Sequence, residues 1–151
     1  MVHALRETCR VLRPGGLLID LRPIVSHPPV DVLGGDQAAS AGRLDDSSDS
    51  ADVVACEKAL RLAVEQGWLE PRETGAFSYS MYWDTPERML DYVTANWGEV
   101  QVPEDVVVRA QQLADVAVRP VRTRIRLTMS IASYVKIGGR FPSWRRSGEQ
   151  C

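Results

Sequence analysis

Residues 10–21 read RVLRPGGLLIDL, and this stretch decides the fold. A helix is predicted before it, over residues 2–12, because the apolar residues there recur at helical spacing. Proline cannot continue that helix, and the two glycines permit a sharp reversal of the chain. The nearly continuous apolar run at residues 17–21 is typical of a strand that is buried on both faces, as in parallel sheets.

Two later segments, residues 73–83 and 121–137, alternate between apolar and polar side chains. Alternation of this length indicates antiparallel strands with one apolar and one polar face. Thr85 followed by Pro86 is a matched start signal for a helix between them. The other predicted elements are a hairpin with strands at 30–33 and 41–44, and helices at 51–66, 86–97 and 103–117.

Composition excludes several classes of protein. The chain has 151 residues, which suits one domain, and its formal net charge of −2 does not favour binding to nucleic acid. No apolar run approaches the roughly 20 residues of a membrane span, so no membrane partner is expected. Three widely spaced cysteines favour neither a disulfide framework nor a zinc site, and they predict a cytoplasmic location.

Residues 4–20 resemble a stretch of class I S-adenosylmethionine-dependent methyltransferases of the type 11-like group. In that family a helix ends in an RVLRPGG turn and leads into the fifth strand of the sheet. A helix follows, and then a long antiparallel pair forms the sixth and seventh strands. The resemblance implies that residues 1–137 form an α/β domain. It would hold a partial Rossmann-like sheet with one buried strand, a long antiparallel pair and helices against the apolar face, ahead of a flexible tail at 138–151.

The resemblance also bears on the cofactor. The family binds S-adenosylmethionine with a glycine-rich turn after its first strand and an acidic residue after its second, and both precede the part that this chain resembles. We therefore expect no catalytic, metal or cofactor-binding residue here, and S-adenosylmethionine only where a partner supplies the missing half. A homodimer or a partner chain is expected to cover the strand edge that such a truncated sheet exposes.

Two groups of polar residues are candidate ligand sites. Asp20, Arg22 and His27 lie at or beyond the carboxyl end of the first strand, where open α/β sheets bind ligands. The alternative is a local set of salt bridges that anchors a loop. Arg122, Arg124 and Arg126 form a basic ladder on one strand face.

That ladder lies opposite Tyr82 in the proposed strand pair and predicts a pocket for an anionic or polar ligand. The alternative is a solvated face whose arginines pair with Asp or Glu. Aromatic residues nearby, among them Trp97, either line a pocket or belong to the core. Three functions stay open: a non-catalytic methyltransferase-like module with a structural or regulatory role, one part of a split methyltransferase, and a small-molecule binding protein that uses the arginine face.

Overall fold

The structure is a computed structural model that describes residues 2–24, 26–98 and 100–138. Every predicted helix and strand is present, although the second hairpin strand and the first long strand begin somewhat earlier than expected. The tail expected at 138–151 lies, beyond Gly138, outside the described residues. The elements are α1 (Val2–Val11), β1 (Leu17–Pro23), β2 (Pro29–Gly34), β3 (Gln37–Arg43), α2 (Ser50–Glu65), β4 (Leu69–Trp83), α3 (Pro86–Asn96), α4 (Glu104–Val116) and β5 (Val121–Lys136).

The chain is an α/β protein with a five-stranded sheet in which β5 is the central strand. β4 pairs with one side of β5 along nearly its whole length. On the other side, β2 pairs with the first part of β5 and β1 with its last part, and β3 lies outside β2. All these pairings are antiparallel, so the predicted long antiparallel pair is confirmed, whereas the described sheet has no parallel pairing.

The prediction that residues 17–21 form a strand buried on both faces is wrong. β1 is an edge strand, and its residues alternate between exposed and half-buried. Leu17, Ile19 and Leu21 are 54%, 57% and 53% exposed. An apolar run fits a fully buried strand and an edge strand with one covered face equally well, because the run itself does not specify its neighbours.

The strand register assigns every side chain of β5 to one of two faces. The odd-numbered residues 121–135 lie on what we call the front face, and the even-numbered residues 122–136 lie on the back face. Over the first half of β5, helices α3 and α4 cover the front face. Ile125 is fully buried there against a core that includes Met89 and Val93 of α3 and Val106 of α4.

Over the second half of β5, the cover lies on the opposite side of the sheet. Helices α1 and α2 pack on the back face, where Cys9 and Ala63 are buried and Leu18 and Tyr134 are partly buried against them. The expectation that the helices lie against the apolar face therefore holds for α3 and α4 and is wrong for α1 and α2. Leu18 and the ring of Tyr134 supply apolar surface on the back face, which makes this packing possible. No described helix has the length and apolar character needed to cross a bilayer.

Candidate functional site

The second half of the front face carries the most exposed apolar residues of the sheet. Leu17, Ile19 and Leu21 of β1, Phe77 of β4 and Ile131 of β5 form what we call the open front surface. In the described part of the chain the outer edge of β1 pairs with no strand. An apolar strand with an unpaired row of backbone N–H and C=O groups is a ready template for another chain.

The arginine ladder lies on the back face, over the first half of β5. Register places Tyr82 of β4 opposite Arg124 on one side and Asp31 of β2 opposite Arg124 on the other. Asp31 is buried, and its Oδ2 lies 2.7 Å from Arg124 Nη2 and 3.2 Å from Arg126 Nε. One buried carboxylate oxygen therefore holds two of the three guanidinium groups.

Charge on this face is not balanced by Asp31 alone. The hydrogen bond from Arg124 to Asp31 raises the pKa of the Arg124 guanidinium against the opposing effect of burial, and Tyr82 adds a smaller upward effect. Arg122 is exposed and makes no ion pair with any described residue. Internal pairing, the alternative that the sequence left open, accounts for Arg124 and Arg126 and leaves Arg122 available to solvent or a ligand.

Asp20 and Arg22 lie on the back face of β1 and serve as an anchor for α2. Arg22 Nε lies 2.9 Å from Asp20 Oδ2, and Arg22 Nη1 donates to the backbone carbonyl of Val53 at 3.2 Å. Glu57 of the same helix is 3.8 Å from Arg22 Nη1. These contacts support the interpretation of Asp20 and Arg22 as a local salt-bridge set.

His27 has different partners. Its Nδ1 lies 3.4 Å from Asp46 and 3.9 Å from Asp45, and its backbone N–H donates to Asp46 Oδ1 at 3.0 Å. The φ angle of His27 is +49°, a left-handed conformation that Asp46 holds in place together with a bond from Ser26 N–H. The predicted site residues thus fall into three separate groups: the arginine ladder with Tyr82, the Asp20–Arg22 pair, and His27 with its aspartates.

Sequence reasoning missed the two buried aspartates that organise these groups. Asp31 interrupts the apolar run of β2, and a charge inside such a run is a usable signal for a buried ion pair. Asp46 gave no such signal, because it stands in the polar segment at residues 45–50. Its contacts come from residues remote in the chain, since Ser26 and His27 donate to its carboxylate and the neighbouring Asp45 pairs with Gln101, and no local pattern encodes these contacts.

The described residues do not fit the adenosyl cofactor that the predicted resemblance to class I methyltransferases would imply. A glycine-rich turn that cradles such a cofactor leads from a strand into a helix. Here Gly15 and Gly16 lead from α1 into β1, and Gly34 and Gly35 lie at the tight turn from β2 to β3. We therefore derive no methyl-transfer step from these residues.

Across the described ranges, no group of three or more His, Cys, Asp or Glu side chains is placed to hold a metal ion. Comparison with models of protein families, with curated proteins and with solved structures finds no match to this chain. The fold therefore defines the structural class, an α/β protein with an antiparallel sheet. Its function has to be inferred from the surfaces described above.

Proposed function

We propose that this protein is a methyltransferase-like module that does not transfer methyl groups by itself and that has a structural or regulatory role. It works by docking another polypeptide along β1. The observation that carries this proposal is the outer edge of β1, which pairs with no strand among the described residues and lies beside the open front surface. Pairing of the β1 edge with a matching strand lowers the free energy, and so does burial of the open front surface under an apolar layer.

The order of the elements supports the proposed ancestry. A helix, a proline-glycine turn and β1 are followed by α2 and then by the antiparallel strands β4 and β5, which is the order that the resemblance implies. Two features depart from it. The hairpin of β2 and β3 stands between β1 and α2, and α3 and α4 stand between the two long strands.

Geometry favours a partner that brings both a strand and a helix. Two copies paired edge to edge through β1 would be related by a two-fold axis perpendicular to the sheet, so both front faces would stay uncovered on the same side. Two copies packed front to front would leave both β1 edges open. A strand followed by a covering helix satisfies edge and face together, as in a βα unit. Without that partner, the same surface is expected to hold two copies together, with either their β1 edges or their front faces left uncovered.

The docking proposal is tested by sedimentation of the chain alone. We expect the exposed surface to drive association at micromolar concentration, and Ile19→Lys to reduce the mass to that of one chain because it places a charge on the open front surface. Val108→Lys is the matched control, because Val108, like Ile19, has an exposed β-branched apolar side chain, and it lies on α4, away from β1, with 45% exposure. A wild-type chain that sediments as a monomer, or a control that dissociates equally, would contradict the proposal.

A split methyltransferase is the second candidate, and the same β1 edge favours it. In that case the docked partner carries the cofactor-binding half. Calorimetric titration with S-adenosylmethionine separates the two candidates. We expect no saturable heat from the isolated chain up to about 1 mM. Binding that appears only after a partner with a glycine-rich strand-turn-helix is added would favour the split enzyme, and tight binding to the isolated chain would overturn the first candidate.

The arginine face supports a third candidate, the binding of a small anionic or polar ligand, on the observation that Arg122 has no ionic partner among the described residues. Arg122→Gln is expected to weaken binding of inorganic phosphate, which a guanidinium recognises by charge-assisted hydrogen bonds. Arg88→Gln is a suitable control, because that arginine is engaged by Asp84 at 3.1 Å. Equal phosphate binding by both variants would remove this candidate.

A further inference from the structure

A cavity of about 390 Å³ lies at the border between the covered and the open half of the front face. Its floor is formed by Tyr79 of β4 and Leu127 of β5, which lie opposite each other in the sheet. Asn96 and Trp97, at the end of α3, form one wall. Asp46, Ile24 and Pro28 form another. This volume lies in the roughly 300–1,000 Å³ range of small-molecule sites.

Among the described residues that line this cavity, Asp46 is the one that carries a charge. It is 6% exposed, and its two carboxylate oxygens accept hydrogen bonds from the backbone N–H groups of Ser26 and His27 at 3.1 and 3.0 Å. A carboxylate can accept about four hydrogen bonds. The backbone bonds hold Asp46 in place. Its Oδ1 also lies 3.4 Å from His27 Nδ1, and its Oδ2 keeps accepting capacity beyond the bond from Ser26.

The remaining polar groups of the lining are neutral, and the rings of Tyr79 and Trp97 are aromatic. Asn96 uses its Nδ2 to donate to the carbonyl of Tyr92 at 2.8 Å, which leaves its carbonyl oxygen as an acceptor. Arg43 donates to the backbone carbonyl of His27 at 3.0 Å, and His27 Nδ1 lies 3.4 Å from Asp46 Oδ1, but neither residue is among the described residues that line the cavity. A fixed negative charge, an amide acceptor and aromatic faces together select a cation.

We infer that this cavity binds a small organic ammonium ion, with the nitrogen at Asp46 and the apolar body against Tyr79, Trp97 and Leu127. The inference is independent of the docking function proposed above, because the cavity is built entirely from residues of this chain. It assigns a ligand class and no reaction. A neutral ligand of the same shape would offer the carboxylate no charged group and would lose the attraction of the rings.

The test compares 2-phenylethylamine with 2-phenylethanol, which differ in the charged group and little in shape. Binding is followed by nuclear magnetic resonance, through the indole N–H signal of Trp97. We expect the amine to bind about tenfold or more tightly than the alcohol, the range of a charge-assisted hydrogen bond. Failure of both probes to bind at millimolar concentration, or equal binding of the two, would overturn the inference.

Two pairs of variants place the effect at the cavity. Asp46→Asn is expected to abolish the preference for the amine, whereas Asp45→Asn, at the neighbouring aspartate outside the lining, is expected to keep it. Tyr79→Val is expected to weaken amine binding by roughly threefold through loss of the ring, and Phe77→Val, on the same face of β4 and outside the lining, is the control. Equal effects within either pair would contradict the assignment. If Asp46→Asn does not fold, the Tyr79→Val and Phe77→Val variants and the comparison of the amine with the alcohol still test the inference.

Discussion

The two halves of β5 differ in which face of the sheet is covered. The first half has its front face beneath α3 and α4, while its back face carries arginines held by Asp31. The second half has its back face beneath α1 and α2, while its front face is open. The same alternation of apolar and polar residues runs through both halves, with Thr123 and Ser133 on the front face and Ala132 on the back face as exceptions. Alternation therefore predicts which residues share a face, whereas the packing of the helices decides which stretch of that face becomes core.

The largest expected effect contrasts two isoleucines on the front face of β5. Ile125 is 0% exposed and Ile131 is 38% exposed. We expect Ile125→Ala to lower the free energy of unfolding by about 3 kcal/mol, since it leaves a cavity beneath α3 and α4. Ile131→Ala is expected to cost under about 1 kcal/mol. Urea denaturation of both variants measures the difference, and equal losses would mean that the front face is covered along its whole length in solution.

A second contrast concerns the back face of the first half. Asp31→Asn removes the carboxylate charge that faces Arg124 and Arg126, and we expect a loss of about 2 kcal/mol in unfolding free energy. Asp36→Asn, at the exposed turn between β2 and β3, is expected to change it by less than about 0.5 kcal/mol. If the two variants are equally stable, the Asp31 carboxylate does not hold the arginine face together.

A third, smaller effect tests how firmly α3 covers the first half. The side chain of Thr85 accepts a hydrogen bond from the backbone N–H of Arg88 at 3.3 Å, as an N-cap residue does. Thr85→Ala is expected to cost about 1 kcal/mol in thermal or chemical unfolding. Thr94→Ala, at an exposed position inside α3, is expected to be neutral or slightly stabilising, because alanine has the higher helix propensity. A larger loss at Thr94 would contradict the assigned cap.

The smallest effect belongs to the second half, where Cys9 is buried between α1 and α2. Burial raises the pKa of the Cys9 thiol, and the charge of Lys136 opposes this weakly. In the unfolded chain the thiol ionises above about pH 8.5, whereas the folded protein keeps it protonated. This contribution to stability is therefore complete below that pH and is lost as the pH rises through the raised pKa of the folded state.

Unfolding measured from neutral to alkaline pH should show that decline in the wild type. The decline should be shallower in Cys9→Ala, in which no thiol is present at this position. Part of the slope is expected to persist in the variant, because burial also raises the pKa of Tyr134 in the same cluster. Identical slopes in the two proteins would show that the Cys9 thiol is not protected from solvent in the folded state.

Local sequence patterns predicted the structural features that depend on residues close together in the chain. The start of α3 at Thr85 and Pro86, the alternation within β4 and β5, and the hairpin around Gly34 and Gly35 all follow from residue types at fixed short spacing. The position of β1 did not follow from its sequence, because an edge strand and a central strand can share one apolar run.

The candidate sites were predictable in part. The arginine ladder and its opposition to Tyr82 came from periodicity alone, since register preserves the alternation. The roles of Asp31 and Asp46 could not be predicted, because each becomes buried through contacts with residues remote in the chain. His27 was grouped with Arg22 on sequence proximity, whereas a left-handed turn directs it to a different acidic pair.

The central position of β5 has a consequence for biosynthesis. β1, β2 and β4 all pair directly with β5, which follows every other described element along the chain. While the nascent chain emerges from the ribosome, the earlier strands have no partner in the sheet except within the hairpin of β2 and β3. Assembly must wait for contacts between distant parts of the chain, which makes folding slow and leaves apolar strands such as β1 accessible to chaperones until translation has passed residue 136.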